Sequence, residues 1–191
     1  MGSTQGRKVK LASVVLAFIL ILVPLSAAAQ SSITIKITLH TPAPKMLAVG
    51  LLTSSPTEWN IGDIEPNQIK QTSPEKTWCT ITNTGNCPVN LSIKGENAVD
   101  VADPGYDWAL SDDGTNGKDR YALWYWIARY SPDYTLITTS ERPFYNGNRL
   151  EEGGAMQFGL KLLTPTEFEP GRQMETSITI SVVIASDEAE K

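Results

Sequence analysis

His40 is the only histidine among 191 residues. Within one chain this removes zinc sites built on several histidines and two-histidine iron sites from consideration. It adjoins the Pro-rich run Thr41-Pro-Ala-Pro-Lys45, and no Gly-x-Ser-x-Gly elbow occurs to offer it a nucleophile. Asp112 and Asp113, like Glu151 and Glu152, are adjacent carboxylates in loop-like sequence, where solvated surface charge is the ordinary reading. The oxygen-rich stretch Asp112-Asp-Gly-Thr-Asn-Gly-Lys-Asp119 departs from the EF-hand spacing and lacks its closing glutamate. No glycine-rich loop stands between a strand and a helix to cradle phosphate. These patterns predict a protein that is not an enzyme, with no catalytic residue, no metal ligand and no cofactor.

Three other groups carry chemical signals. Cys79 and Cys87, the only cysteines, lie close in sequence and predict a disulfide that would add roughly 2–3 kcal/mol by closing a short loop. The alternative is a pair of small buried hydrophobes. Asn90-Leu-Ser92 is an acceptor sequon that alternation turns outward, so Asn90 is a candidate for N-glycosylation. Tyr121, Trp124, Tyr125 and Trp126 cluster in one run. They read either as a platform for stacking sugar rings or as the thick core and rim of a β-structure.

The elements that must hold these groups are strands. Only 19% of the residues are charged, and Gly and Pro number 14 and 12, a composition unlike that of a helical bundle or coiled coil. In Ile33-Thr-Ile-Lys-Ile-Thr-Leu39 the set Ile33, Ile35, Ile37 and Leu39 faces one way and Thr34, Lys36 and Thr38 the other. Strand-like runs recur at 46–52, 76–82, 87–94, 107–111, 121–130, 134–138, 155–162 and 176–184, with turn sequences such as Asn83-Thr-Gly-Asn86 between them. About eight to ten strands without a helical period predict an all-β fold, closed as a two-sheet antiparallel sandwich of jelly-roll or immunoglobulin-like type.

Residues 1–29 predict a helical signal peptide. Arg7, Lys8 and Lys10 precede an apolar run at 11–23, and Pro24-Leu-Ser-Ala-Ala-Ala29 supplies small residues for cleavage. A retained membrane anchor is the competing reading. The organisation that follows is an N-terminal strand at 30–40, a Pro-rich connector at 41–45, a sandwich body at 46–185 and a polar tail at 186–191. The whole chain has 16 basic and 21 acidic residues, net −5. The signal carries three of the basic residues and no acidic one, which leaves 13 against 21, net −8. An acidic chain without clustered Lys and Arg disfavours nucleic acid and anionic membrane as partners. With no second apolar stretch of membrane length, no stable membrane insertion is expected after cleavage, and the product is expected outside the cell or at its surface.

The motifs Trp59-Asn-Ile-Gly-Asp-Ile64, Thr80-Ile-Thr-Asn-Thr-Gly-Asn86, Pro88-Val-Asn-Leu-Ser-Ile-Lys-Gly95, Trp108-Ala-Leu110, Phe158-Gly-Leu-Lys-Leu-Leu-Thr-Pro165 and Ile178-Thr-Ile-Ser181 together resemble exported bacterial and archaeal β-sandwich proteins. More loosely, the chain is similar to the TasA and camelysin-like biofilm fibre proteins and the archaeal bundling pilins, over roughly residues 33–184. The resemblance implies a jelly-roll sandwich that polymerises by donating its N-terminal strand to a neighbour. The metalloprotease activity described for camelysin is not implied, since the chain has no His-Glu-x-x-His. The residues themselves allow the same idea. A strand with the apolar face Ile33, Ile35, Ile37 and Leu39, tied on by a stiff connector, can pair with its own body or augment a neighbour's sheet, and repetition of the second arrangement builds a filament. The expectation is a structural subunit of a filament, pilus or biofilm matrix whose partners are copies of itself. The alternative is an extracellular binding or adhesion module for glycans that uses the aromatic cluster.

Overall fold

The structure, a computed structural model, describes residues 31–40, 49–51, 56–73, 78–128, 133–144 and 149–185. The expected signal at 1–29, connector at 41–45 and tail at 186–191 lie outside the described residues. Among the described residues thirteen strands are formed: β1 (Ser31–His40), β2 (Val49–Leu51), β3 (Glu58–Ile64), β4 (Ile69–Gln71), β5 (Cys79–Asn83), β6 (Val89–Gly95), β7 (Ala98–Asp100), β8 (Asp107–Leu110), β9 (Arg120–Ile127), β10 (Thr135–Ile137), β11 (Arg142–Phe144), β12 (Ala155–Leu163) and β13 (Gln173–Ile184). No helix occurs among the described residues, and none there is long and apolar enough to cross a membrane. The all-β class is therefore the one that the alternation predicts.

Ile, Val and Thr dominate β1 and β13 because branching at Cβ restricts χ1 and suits a pleated, half-buried surface, and in β6 Val89, Leu91 and Ile93 form the buried face. These strands are neighbours. In the order β11-β6-β13-β1-β3, β6 runs antiparallel to both β11 and β13, and β1 lies parallel to β13 and antiparallel to β3. A second run, β10-β9-β12-β5-β2, is antiparallel throughout, with β4 pairing the far end of β12. β7 and β8 join the two. β7 pairs β13, while β8 pairs β7 at Ala98↔Trp108 and then β9, in parallel, at Leu110↔Tyr121. Hydrogen bonding is thus continuous through one mixed sheet.

The expectation of purely antiparallel pairing needs correction at β1/β13 and β8/β9. A parallel pair requires a long crossover. For β1 and β13, at opposite ends of the described chain, the whole body supplies it. Between β8 and β9 it is the loop 111–119.

One hydrophobic cluster spans both runs of strands. Phe144 of β11 meets Tyr125 of β9 edge-on at 4.7 Å and Phe158 of β12 at 5.3 Å. Edge-to-face pairs of this kind add to the burial of the rings themselves.

Candidate functional site: the N-terminal strand and its groove

β1 occupies an interior position, with both edges hydrogen-bonded to body strands. Ile33, Ile35 and Ile37 stand opposite Met174, Thr176 and Ile178 of β13, and on the other side Ile33 and Ile35 stand opposite Gly62 and Trp59 of β3. Ile33 and Ile35 have no exposed surface and Ile37 only 7%, so each contributes about 1.5–3 kcal/mol of burial. Leu39 and His40 continue the strand opposite Ile180 and Ser181, so His40 is the last residue of β1. β3 carries a bulge here: Ile33 pairs Gly62 and Thr34 pairs Asn60, which skips Ile61. Gly62 takes φ +71°, and its N–H donates to Asn60 Oδ1 at 3.0 Å.

A braced loop holds the entry end of β1. The Ser32 N–H donates to the Arg172 carbonyl at 3.0 Å and Ser31 Oγ to the Glu169 carbonyl at 3.3 Å. The Arg172 guanidinium pairs Glu169 at 2.7 Å, Asp100 at 3.4 Å and Asp103 at 3.5 Å, and stacks over Tyr106 at 4.5 Å. Tyr106 donates its hydroxyl to Asp119 at 2.6 Å and accepts the Glu169 N–H at 3.1 Å. Desolvation alone would raise the Asp100 carboxyl, but the N–H groups of Ala102 and Asp103 and the Arg172 guanidinium outweigh it and hold the group below its usual range. A depressed carboxyl contributes stability above its unfolded pKa and loses it as pH falls through the folded value. Melting temperature is expected to fall on acidification below about pH 4, and Asp100→Asn should flatten that acid limb while lowering stability at pH 7. Thermal melts of the two proteins across pH would check this.

On the outward face of β1, Lys36 Nζ pairs Glu175 of β13 at 2.5 Å and stands opposite Glu58 of β3. The Glu175 hydrogen bond strengthens the ammonium's hold on its proton.

Strand parity divides the aromatic cluster. Tyr121 and Tyr125 are core residues, at 0% and 3% exposure, which corrects their expected place on a binding surface. The Tyr121 hydroxyl donates to the Glu96 carbonyl and shares a hydrogen bond with Thr176 Oγ1, and burial pushes the phenol well up. Trp124 and Trp126 are half-buried on the opposite face of β9. Lys161 Nζ lies 4.4 Å from the ring centroids of both Trp124 and Tyr134, and Trp78 meets Trp126 edge-on at 4.8 Å. Protein groups therefore already cover much of these rings. Gly159, opposite Trp126, has no room for a Cβ, which would fall 2.9 Å from Trp78 Nε1.

No disulfide joins Cys79 and Cys87, contrary to expectation. Cys79 begins β5 opposite Phe158, whereas the Cys87 carbonyl accepts a hydrogen bond from Asn83 at the other end of that strand. Four extended residues span about 13 Å at roughly 3.3 Å each, and a bridge needs Cα atoms within about 7 Å. A bend links β5 to β6, but the two strands pair with different partners. Burial pushes the Cys79 thiol up to about 12, and its Sγ donates to the Pro56 carbonyl at 3.3 Å. Because the raised pKa keeps the folded thiol protonated, the associated stability is present below pH 9 and lost as pH rises toward 12. Cys79 is expected to resist N-ethylmaleimide at pH 8 in the native protein and to react in denaturant, as peptide mass mapping would show.

Asn90 is half-buried in β6 opposite Val183, and Ser92 of the same sequon donates to Glu141. The loop carboxylates are engaged by the protein itself. Asp113 accepts from Ser111 Oγ and from Thr115 N and Oγ1, and Asp112 accepts from Thr139. No group of three or more metal-ligating side chains gathers among the described residues. A comparison with known protein families and one with curated proteins each find no match to the chain.

Proposed function

We propose that the protein is a secreted, non-catalytic structural subunit of an extracellular filament, pilus or biofilm matrix, in which each copy seats its N-terminal strand in the groove of the next. The observation that carries this reading is the position of β1: the first described strand, with an apolar face, seated between β13 and β3, neither of which has another strand partner on that side among the described residues. Taken from its own chain or from a neighbour's, the strand makes the same contacts, so exchange trades like for like and protein concentration decides the balance. The body is read as a two-layer, jelly-roll-like sandwich, supported by the contacts of Phe144 with Tyr125 and Phe158 across the two runs of strands. Export follows from the signal-like segment 1–29. A glycan-binding module fits less well, because Tyr121 and Tyr125 are interior and Lys161 lies over Trp124.

The test is negative-stain microscopy of the chain from Gln30 across a concentration series, alongside a chain that starts at Met46. Filaments from the longer chain and none from the shorter one are expected. Persistent monomers from the longer chain at high concentration would sink the reading.

A further inference from the structure

We infer that Lys36 is the register key of the assembly contact, the residue that makes one subunit's strand seat at a single position in the groove of the next copy of this chain. The inference rests on the strand-exchange reading above. Ile33, Ile35, Ile37 and Leu39 repeat every second residue. A one-residue slip would turn this face to water, but a two-residue slip keeps it inward and changes it only at its ends. The apolar face alone is therefore a poor judge of register. The bulge does not help, because it belongs to β3 and the donated strand can slide past it.

The outward face breaks the degeneracy. It reads Thr34, Lys36, Thr38, and Lys36 is the only Lys, Arg, Asp or Glu in β1. In the observed register it sits between two carboxylates, paired with Glu175 and opposite Glu58. A slip that carries Lys36 to the place of Thr38 sets it beside Thr179 and past the last β3 pair, which leaves both carboxylates behind. The same slip drops the Ser31 hydroxyl into the fully buried Ile33 site. The opposite slip sets Lys36 in the place of Thr34, where it keeps Glu175 but exchanges Glu58 for Asn60, and it pushes Ile33 onto the Ser31 position against the Glu169 carbonyl. An exposed ion pair adds little to stability. Its use here is discrimination, since one wrong register loses both carboxylates, the other loses Glu58, and a reversed charge would be repelled from both flanks.

A charge-swap experiment on chains starting at Gln30 tests this. Lys36→Glu sets three carboxylates together, and Glu175→Lys sets two ammoniums together. Each variant alone is expected to give at least about tenfold less filament than wild type at equal concentration. Mixed in equal amounts they should recover to within about twofold of wild type, because the two kinds of subunit can alternate. A Lys36→Glu strand then meets the new lysine in a Glu175→Lys groove, and a Glu175→Lys subunit's strand, still carrying Lys36, meets Glu175 in a Lys36→Glu groove. Rescue by mixing requires the strand to sit in another subunit, since a strand held in its own body keeps its mismatch. Placing both substitutions in one chain should also restore assembly. If wild type forms no filaments, the strand-exchange reading itself falls. If wild type assembles and either single variant matches it, or if the mixture assembles no better than its components, the assignment to Lys36 is overturned while the reading stands.

Discussion

Ile35→Asp is expected to abolish filament formation and to lower folding stability by at least about 4 kcal/mol, the sum of a lost buried isoleucine and a carboxyl forced into an apolar site. Ile35 has no exposed surface and lies between Thr176 on β13 and Trp59 on β3, with no cation opposite it on either strand. The groove can respond by expelling β1 or by taking up a neutral, protonated Asp, and either response removes the driving force for exchange. The informative control carries the same charge on the same strand. Thr38 is exposed and stands opposite Thr179, so Thr38→Asp should change stability by no more than about 0.5 kcal/mol and leave filaments intact. Urea unfolding with microscopy of the same samples reads both effects. Equal damage from the two substitutions would mean that β1 is not held by its isoleucine face.

What could be read in advance was local. Wherever side chains are described, which excludes Leu39 and Ile184, period-two alternation assigns the buried faces of β1, β6, β12 and β13 correctly, with Met156, Phe158, Leu160 and Leu162 turned inward along β12. The same parity, applied strictly to 121–127, separates Tyr121, Leu123 and Tyr125 from Trp124 and Trp126. Grouping by residue type puts the four aromatics on one surface, whereas position keeps only Trp124 and Trp126 there. β3 and β11 were hidden by residues that interrupt a strand pattern: Gly62 at the bulge of one and Pro143 within the other. Neither the parallel β1/β13 pairing nor the separation of Cys79 from Cys87 is encoded in any window of sequence, because both depend on which distant strand each segment chooses. The groove was therefore legible as a strand in need of a partner, while the partner, its direction and the flanking Glu58 and Glu175 were not.

Phe144→Ala is expected to cost about 3–5 kcal/mol, a large effect from β11, a strand of three residues at the edge of the sheet. Phe144 is fully buried, and it is the ring through which β11 meets both Tyr125 on β9 and Phe158 on β12. Its removal leaves a cavity beside the Tyr125 and Phe158 rings, and Ala cannot fill it. Phe144→Leu should recover part of the loss, since it restores apolar volume but not the edge-on contacts. Combined with Phe158→Ala, the losses should be non-additive by about 0.5–3 kcal/mol, as for any residues that share one cavity. Additive losses, or a cost for Phe144→Ala below about 1 kcal/mol, would show that the two runs do not pack as a sandwich. The consequence reaches the groove along the hydrogen-bonded path β11-β6-β13-β1. When the edge strand loosens, β13 loses support on the side away from β1. Assembly is then expected to weaken at protein concentrations where wild type still polymerises, and to recover at higher concentration because the contacts of β1 itself are unchanged.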